Sequence, residues 1–276
     1  NWNTAQTVTV TGVDDNDRDR NQDYKISLSA ADQDPDNPQV TTLAGSGEGF
    51  YDATGTSAKF KYPRGITSDG TNLYVSDTSN HRIRKIVIST GVVTTLAGSG
   101  SQSFADGTGT SASFNVPRGI IRVGTNLYVV DTENHRIRKI VISTGVVTTI
   151  AGSGSGGHLD GTGTSASFNK PRGITTDGTS LYVTDTFSHR IRKIVISTGV
   201  VTTIAGSGQG FADGRGTSAK FIEPRGITTD GINLYVADTK NNKIRKIVIS
   251  TGVVTTFAGS GQGFADGTGT SAKFIE

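Results

Sequence analysis

The 276-residue chain contains no cysteine, which excludes disulfides, thiolate zinc sites and thiol nucleophiles together. The compartment stays open on that count, because a secreted chain with a large core needs no such staples. Methionine is also absent, so Asn1 is not expected to be a translation start and both termini read as cut edges. No signal-peptide apolar region opens the chain, no apolar run is long enough to span a bilayer, and membrane insertion is not expected. A long amphipathic helical pattern is missing as well, and hydrophobic residues make up only 33%. Glycine is what abounds, at 37 residues, with Ser and Thr common beside it. This is the composition of many short strands joined by tight turns. The net charge of +3 hides an asymmetry: Asp14, Asp15, Asp17, Asp19, Asp23, Asp32, Asp34 and Asp36 crowd one early stretch, and the remainder is basic.

Self-similarity is the main signal. Pro-Arg-Gly recurs at Pro63, Pro117, Pro171 and Pro224, at spacings of 54, 54 and 53 residues. Thr-Thr-Leu/Ile/Phe-Ala-Gly-Ser-Gly recurs with its alanine at Ala44, Ala97, Ala151, Ala205 and Ala258. In the unit from Pro117 to Gly154, four short strands are expected. The first follows the proline, the second runs from Asn126 to Val130, the third from Arg136 to Ser143, and the fourth from Val146 to Ala151. Asp131-Thr132-Glu133-Asn134 reads as a polar turn and Ser143-Thr144-Gly145 as a hairpin. Four antiparallel strands in a repeat of this length describe one blade of an all-β propeller, and a solenoid of parallel strands would need shorter repeats. The stretch from Ser155 to Lys170 joins one blade to the next. Its glycine-rich half is expected to be loop, Thr164 or Ser165 to cap one helical turn, and Phe168 to plug between blades.

Pro-Arg-Gly-Ile, Asn/Ser-Leu-Tyr-Val-x-Asp-Thr and His-Arg-Ile-Arg-Lys-Ile together resemble the NHL-repeat β-propellers, across residues 39–276. The resemblance implies six blades as the commonest total. Four units are complete, near residues 63–100, 117–154, 171–208 and 224–261, whereas the outer-strand segment occurs five times. A truncated five- or six-bladed ring over residues 38–276 is therefore expected, with self-association through the incomplete ring or by stacking as a consequence. Blades this alike place the same side chains at equal angles around an axis, which suits a repetitive partner. Residues 1–37 carry an alternating stretch from Trp2 to Gly12 and a second strand at Tyr24 to Ala30. They are similar to the C-terminal part of Calx-beta-like and cadherin-like extracellular modules. That likeness implies an extracellular or cell-surface setting on a larger bacterial protein. Asp14, Asp15, Asp17 and Asp19 are the candidate ligands of a weak structural calcium site, with a solvated acidic loop as the plainer reading.

Among candidate site residues, the arginines of Pro-Arg-Gly come first: Arg64, Arg118, Arg172 and Arg225 enter each innermost strand and would ring one mouth of the central channel. Four guanidinium forks there could grip carboxylate, sulfate or phosphate, or each could pack on the neighbouring blade. Asp77, Asp131, Asp185 and Asp238 precede His81, His135 and His189, with Asn242 standing in the fourth unit. That substitution argues against a required imidazole, and the Asp-Thr pairs read as turn-tying groups. The basic third strand is the runner-up partner surface, because some NHL propellers bind RNA on a basic face. An amidating lyase of the family holds a metal in its channel through histidines, but the only histidine here outside the turns is His158, so those ligands do not transfer. Asp-Gly-Thr-Gly at Asp106, Asp160 and Asp266 matches an aspartic-protease signature in the wrong context, a repeated loop. The expectation is a non-catalytic module without a cofactor, binding a protein or an anionic glycan, with nucleic acid second and a channel-site enzyme third.

Overall fold

A computed structural model describes residues 26–30 and 39–275. The described secondary structure consists of short strands and single 3-10 turns. Each blade is an antiparallel sheet in sequence order from its innermost to its outer strand. In the first blade the strands are Pro63–Ser68, Asn72–Asp77, Arg82–Val87 and Val93–Ala97. In the second they are Pro117–Val123, Asn126–Asp131, Arg136–Val141 and Val146–Ala151. The third blade runs from Ile174–Thr176 to Val200–Ala205 and the fourth from Pro224–Thr229 to Val253–Ala258. A bulge recurs between third and outer strands: Ile137 faces Ala151 but Arg138 faces Thr149, and the other blades repeat the shift. The extra residue bends and twists the outer strand, as a propeller blade requires.

The second strand is apolar on both faces because each inner blade is sandwiched between two others. Leu127 and Val129 join the core shared with the first blade, and Tyr128 and Val130 join the core shared with the third. The expected plug is present. Phe60, Phe114, Phe168 and Phe221 are fully buried, and Phe114 packs with Tyr74, Ile83 and Ala97 of one blade and Ile140 and Val147 of the next. Burying a side chain of this size stabilises by about 1.5–3 kcal/mol.

Two details of the connection differ from expectation. Gly163–Ser165 forms the single turn as a 3-10 helix, and no side chain caps it. The glycine-rich half also supplies a fifth short strand: Gly161–Thr162 pairs with Val200 and Val201 on the outer edge of the third blade, and Gly107–Thr108 does the same on the second. The chain thus fastens the outer edge of each blade before entering its innermost strand. At the other end, Ile26–Ala30 pairs with Gln39–Ala44, the first copy of the outer-strand segment, with the same shift in register after Ile26. This pairing crosses the module boundary expected at residue 37.

Candidate interaction site at the channel mouth

The Pro-Arg-Gly glycine is dictated by how closely the innermost strands approach. A methyl group on Gly65 would stand 2.1 Å from the Arg118 carbonyl oxygen, one on Gly119 2.5 Å from that of Arg172, and one on Gly173 2.2 Å from that of Arg225. Gly119 instead donates its N–H to the Arg172 carbonyl at 3.0 Å. Hydroxyls of the Asp-Thr turns lock the same seam: Thr78, Thr132 and Thr186 donate to the carbonyls of Pro117, Pro171 and Pro224 at 2.7–2.8 Å. Each junction therefore fixes the backbone that carries an arginine of the next blade.

A second latch sets the residue before each proline. Tyr62, Val116, Lys170 and Glu223 have φ of 46–55°, a conformation a β-branched residue such as Val116 adopts only under strain, at a cost of about 1–3 kcal/mol. The N–H groups of Val116, Lys170 and Glu223 donate to Nδ1 of His81, His135 and His189 at 3.0–3.1 Å. The histidines are thus inter-blade acceptors, themselves held at φ of 55–56°. Burial lowers the pKa of all three and favours the neutral imidazole that an acceptor must be, and the charge of Arg82 acts the same way at His81.

These junctions bring the four arginines together. Arg118, half-buried, lies in the field of Arg172, Arg64 and Arg225. Burial first, then Arg172 and Arg64, push its guanidinium down to about 9, against the opposing charge of Glu133. Its Nε is buried without a hydrogen-bond partner. The environment of Arg118 thus gathers three further guanidiniums and the carboxylate of Glu133. Arg225 pairs with Glu223 at 3.1 Å, and the Arg172 guanidinium sits 5.6 Å from the Phe187 ring centre. Arg64 is exposed. In the segments before two of the prolines, Lys170 pairs with Glu133 at 2.9 Å and Lys61 with Glu48 at 2.8 Å.

The basic third strand is spent differently. Its second arginine, at Arg84, Arg138, Arg192 and Arg245, is fully buried. Arg138 donates from Nη1 to Asp131 and from Nη2 to Asp106, each at 2.7 Å, and also to the carbonyls of Ser113 and Ala105. Arg192 and Arg245 repeat the double clamp with Asp185 and Asp160 and with Asp238 and Asp213, and Arg84 does so with Asp77 and Asp52. The Asp-Gly-Thr-Gly aspartates Asp106 and Asp160 are thus structural anchors. Asp131 also accepts from the Asn115 N–H at 2.7 Å and from Asn134 Nδ2 at 2.9 Å. The first arginine of the band ties a turn to the outer loop, as Arg82 does by donating to the carbonyls of Asn80 and Ser99. Sequence reasoning missed the clamp, although the recurrence of Asp-Thr and Ile-Arg-Lys in every unit, and of Asp-Gly in the connections beginning at Asp106, Asp160 and Asp213, was its visible trace.

Asp14, Asp15, Asp17 and Asp19 lie outside the described residues, as does most of the module expected over residues 1–37. Among the described residues no cluster of three or more His, Asp or Glu could hold a metal ion, and no helix is long and apolar enough to cross a membrane.

Fold and mouth together define a β-propeller whose repeated sheets carry a converging set of arginines. Residues 60–86 match the NHL repeat, and the repeated units of this chain are NHL repeats on a propeller frame. The chain is 32% identical over 238 residues to SUPPRESSOR OF QUENCHING 1, chloroplastic, of Arabidopsis thaliana, covering 78% of this chain and 22% of that protein. NHL repeat-containing protein 2 of Gallus gallus is 29% identical over 258 residues, covering 80% of this chain and 36% of the relative. The chain thus spans about a third or less of these curated relatives. Among solved structures, auxiliary nutrient binding proteins of Bacteroides thetaiotaomicron and Bacteroides ovatus superpose with TM-scores of 0.59 and 0.57 at 19% and 20% identity. The first alignment covers 84% of this chain and 56% of that one, the second 79% and 50%. At that identity the likeness speaks for the fold alone.

Proposed function

We propose that this protein is a non-catalytic interaction module whose channel mouth receives an anionic group of a protein or glycan partner. The observation that carries the reading is the crowding of Arg64, Arg172 and Arg225 around the half-buried Arg118. Guanidinium forks converging in this way suit a carboxylate or sulfate, which each fork can bind through two parallel hydrogen bonds. The NHL-repeat relatives support the coarser statement, a propeller interaction module. The clamped aspartates and latched histidines support a non-catalytic reading, because their donors and acceptors are already committed to holding the blades. The third strand is a poor nucleic-acid face, with one arginine of each band buried and, in the first three bands, the other (Arg82, Arg136, Arg190) tied to backbone carbonyls. An extracellular or surface setting on a larger protein belongs to the same proposal and rests on the acidic lead-in.

The test is binding of poly-glutamate, heparin and single-stranded RNA at graded salt to three forms of the chain. These are the unaltered chain, one with Arg64, Arg118, Arg172 and Arg225 changed to Gln, and one with Lys85, Lys139, Lys193 and Lys246 changed to Gln. Poly-glutamate or heparin should bind the unaltered and Lys→Gln chains and lose at least tenfold in affinity on the Arg→Gln chain. Equal polyanion binding by all three, or RNA binding abolished by the Lys→Gln set alone, would refute the reading.

A further inference from the structure

We infer that the channel mouth receives one peptide segment of mixed composition in a single orientation, with an acidic side chain on the arginines and unlike side chains on a rim that differs from blade to blade. This rests on the mouth's taking an anionic group, and it narrows the partner to a protein. Three positions carry four different residues in the four blades. One is Ser76, Val130, Thr184 and Ala237 on the second strand, buried in the first three blades. The other two are the residue before the proline and the residue after Asp-Thr. Both stand at the arginine end of the blade, because the proline of the first strand lies opposite the aspartate of the second, as Pro63 does Asp77 and Pro117 does Asp131. Each blade holds the two positions in one frame. Ser79 donates its N–H to the Lys61 carbonyl at 3.0 Å, Phe187 does the same to Asn169 at 3.1 Å, and the other two blades repeat the bond. The next residue in each case is the one before the proline, at φ of 46–55°.

The backbone frame repeats and the chemistry on it does not. The first blade offers Tyr62, 39% exposed, beside Ser79, and the second Val116 beside Glu133. The third offers Lys170 beside Phe187, 40% exposed, and the fourth Glu223 beside the exposed Lys240. These groups reach the arginines. Glu133 acts on Arg118, the Phe187 ring centre lies 5.6 Å from the Arg172 guanidinium, and Glu223 pairs with Arg225. Exposure alone does not produce such variety: the hairpin pair Ser89-Thr90 is exposed, and its copies in the other three blades are exposed and identical. The expectation of a repetitive partner is thereby reversed. Arginines recur around the axis, but no two blades set the same groups beside them. A sulfated glycan or an acidic homopolymer brings one charge at every step and meets the carboxylates of Glu133 and Glu223, a like-charge contact that disfavours it. Successive residues of a peptide differ in the same classes as the rim: carboxylate, ammonium and apolar side chain.

The experiment selects short random peptides from a displayed library on the unaltered chain and compares each with a scramble of its own composition, with poly-glutamate as the reference ligand. Selected peptides should carry acidic residues, compete with poly-glutamate and bind at least about tenfold more tightly than their scrambles. Two exchanged chains keep composition and net charge. One carries Phe187→Lys with Lys240→Phe, the other Tyr62→Glu with Glu223→Tyr, a swap between positions of nearly equal φ, 47° and 46°. Each should hold poly-glutamate within about twofold of the unaltered chain and lose at least about tenfold in affinity for the selected peptides. Scrambles that bind as well as the selected sequences, or selected peptides indifferent to both exchanges, overturn the inference. So would a selection in which no peptide surpasses poly-glutamate. The scramble comparison uses the unaltered chain, so it decides the matter even where an exchanged chain fails to fold. Poly-glutamate binding that survives the change of all four mouth arginines to Gln sinks the anion-binding mouth itself. Its loss there, with scrambles binding as well as selected peptides, sinks the peptide partner alone.

Discussion

Replacing Arg138 with methionine keeps most of the side-chain volume and removes the guanidinium from the Asp131–Arg138–Asp106 clamp. Four hydrogen bonds disappear, but they do not weigh equally. Asp106 is 44% exposed and retains the Thr149 N–H and hydroxyl, so its loss is small. Asp131 is fully buried and keeps only the Asn115 N–H and the Asn134 amide, one carboxylate charge held by two neutral donors. Breaking a buried pair by removing one partner costs about 3–5 kcal/mol. For a chain of this size that is a fall of roughly 6–20 °C in melting temperature. Asp131→Asn leaves shape nearly intact but turns an amide donor toward Arg138, and the double variant removes both faults. The two single losses should therefore exceed the double loss by about 1–3 kcal/mol. Urea unfolding followed by circular dichroism at neutral pH, checked for an unchanged slope, measures all three. Burial raises the pKa of Asp131 and Arg138 lowers it. Removing Arg138 raises it further, and a carboxyl with a raised folded-state pKa loses its stabilising contribution as pH rises through that value. The Arg138→Met penalty should accordingly be largest near neutrality and shrink toward pH 4. A loss below about 1 kcal/mol at pH 7, or an additive cycle, would refute the clamp as a stabilising element.

Two further outcomes follow from the seams. His81, His135 and His189 have lowered folded-state pKa values, so their contribution is complete above the ordinary imidazole value of 6.5 and is lost as pH falls below it. Melting temperature should drop between pH 7.5 and 5, and His135→Asn, which copies the residue at Asn242, should flatten that profile by about a third; an unchanged profile would remove His135 from the latch. Gly119→Ala places a methyl group 2.5 Å from the Arg172 carbonyl oxygen and should cost about 1–3 kcal/mol by overpacking. Gly124→Ala meets nothing within 4 Å, so its cost should be confined to the strain of its positive φ, about 1 kcal/mol. Equal denaturation midpoints for the two variants would contradict the close approach.

The sequence by itself determined the repeat, the four strands and their order, because period-two alternation and turn residues are local properties that 54-residue copies make unmistakable. It also placed the arginines of Pro-Arg-Gly at the start of each innermost strand, since the proline and glycine beside them mark the spot. Only the tertiary structure decided what those neighbours were for. Gly119 reads locally as the opening residue of an innermost strand, yet its requirement comes from a carbonyl 53 positions along the chain. His135 reads as a turn residue or an acid–base candidate, yet its partner is the Lys170 N–H of the next connection. Arg138 reads as part of a basic third strand that offers a partner surface, yet it lies between two aspartates drawn from segments 7 and 32 residues away. Burial of a charge depends on which segments meet in space, and nothing in the local alternation of a strand distinguishes an arginine facing water from one facing two carboxylates.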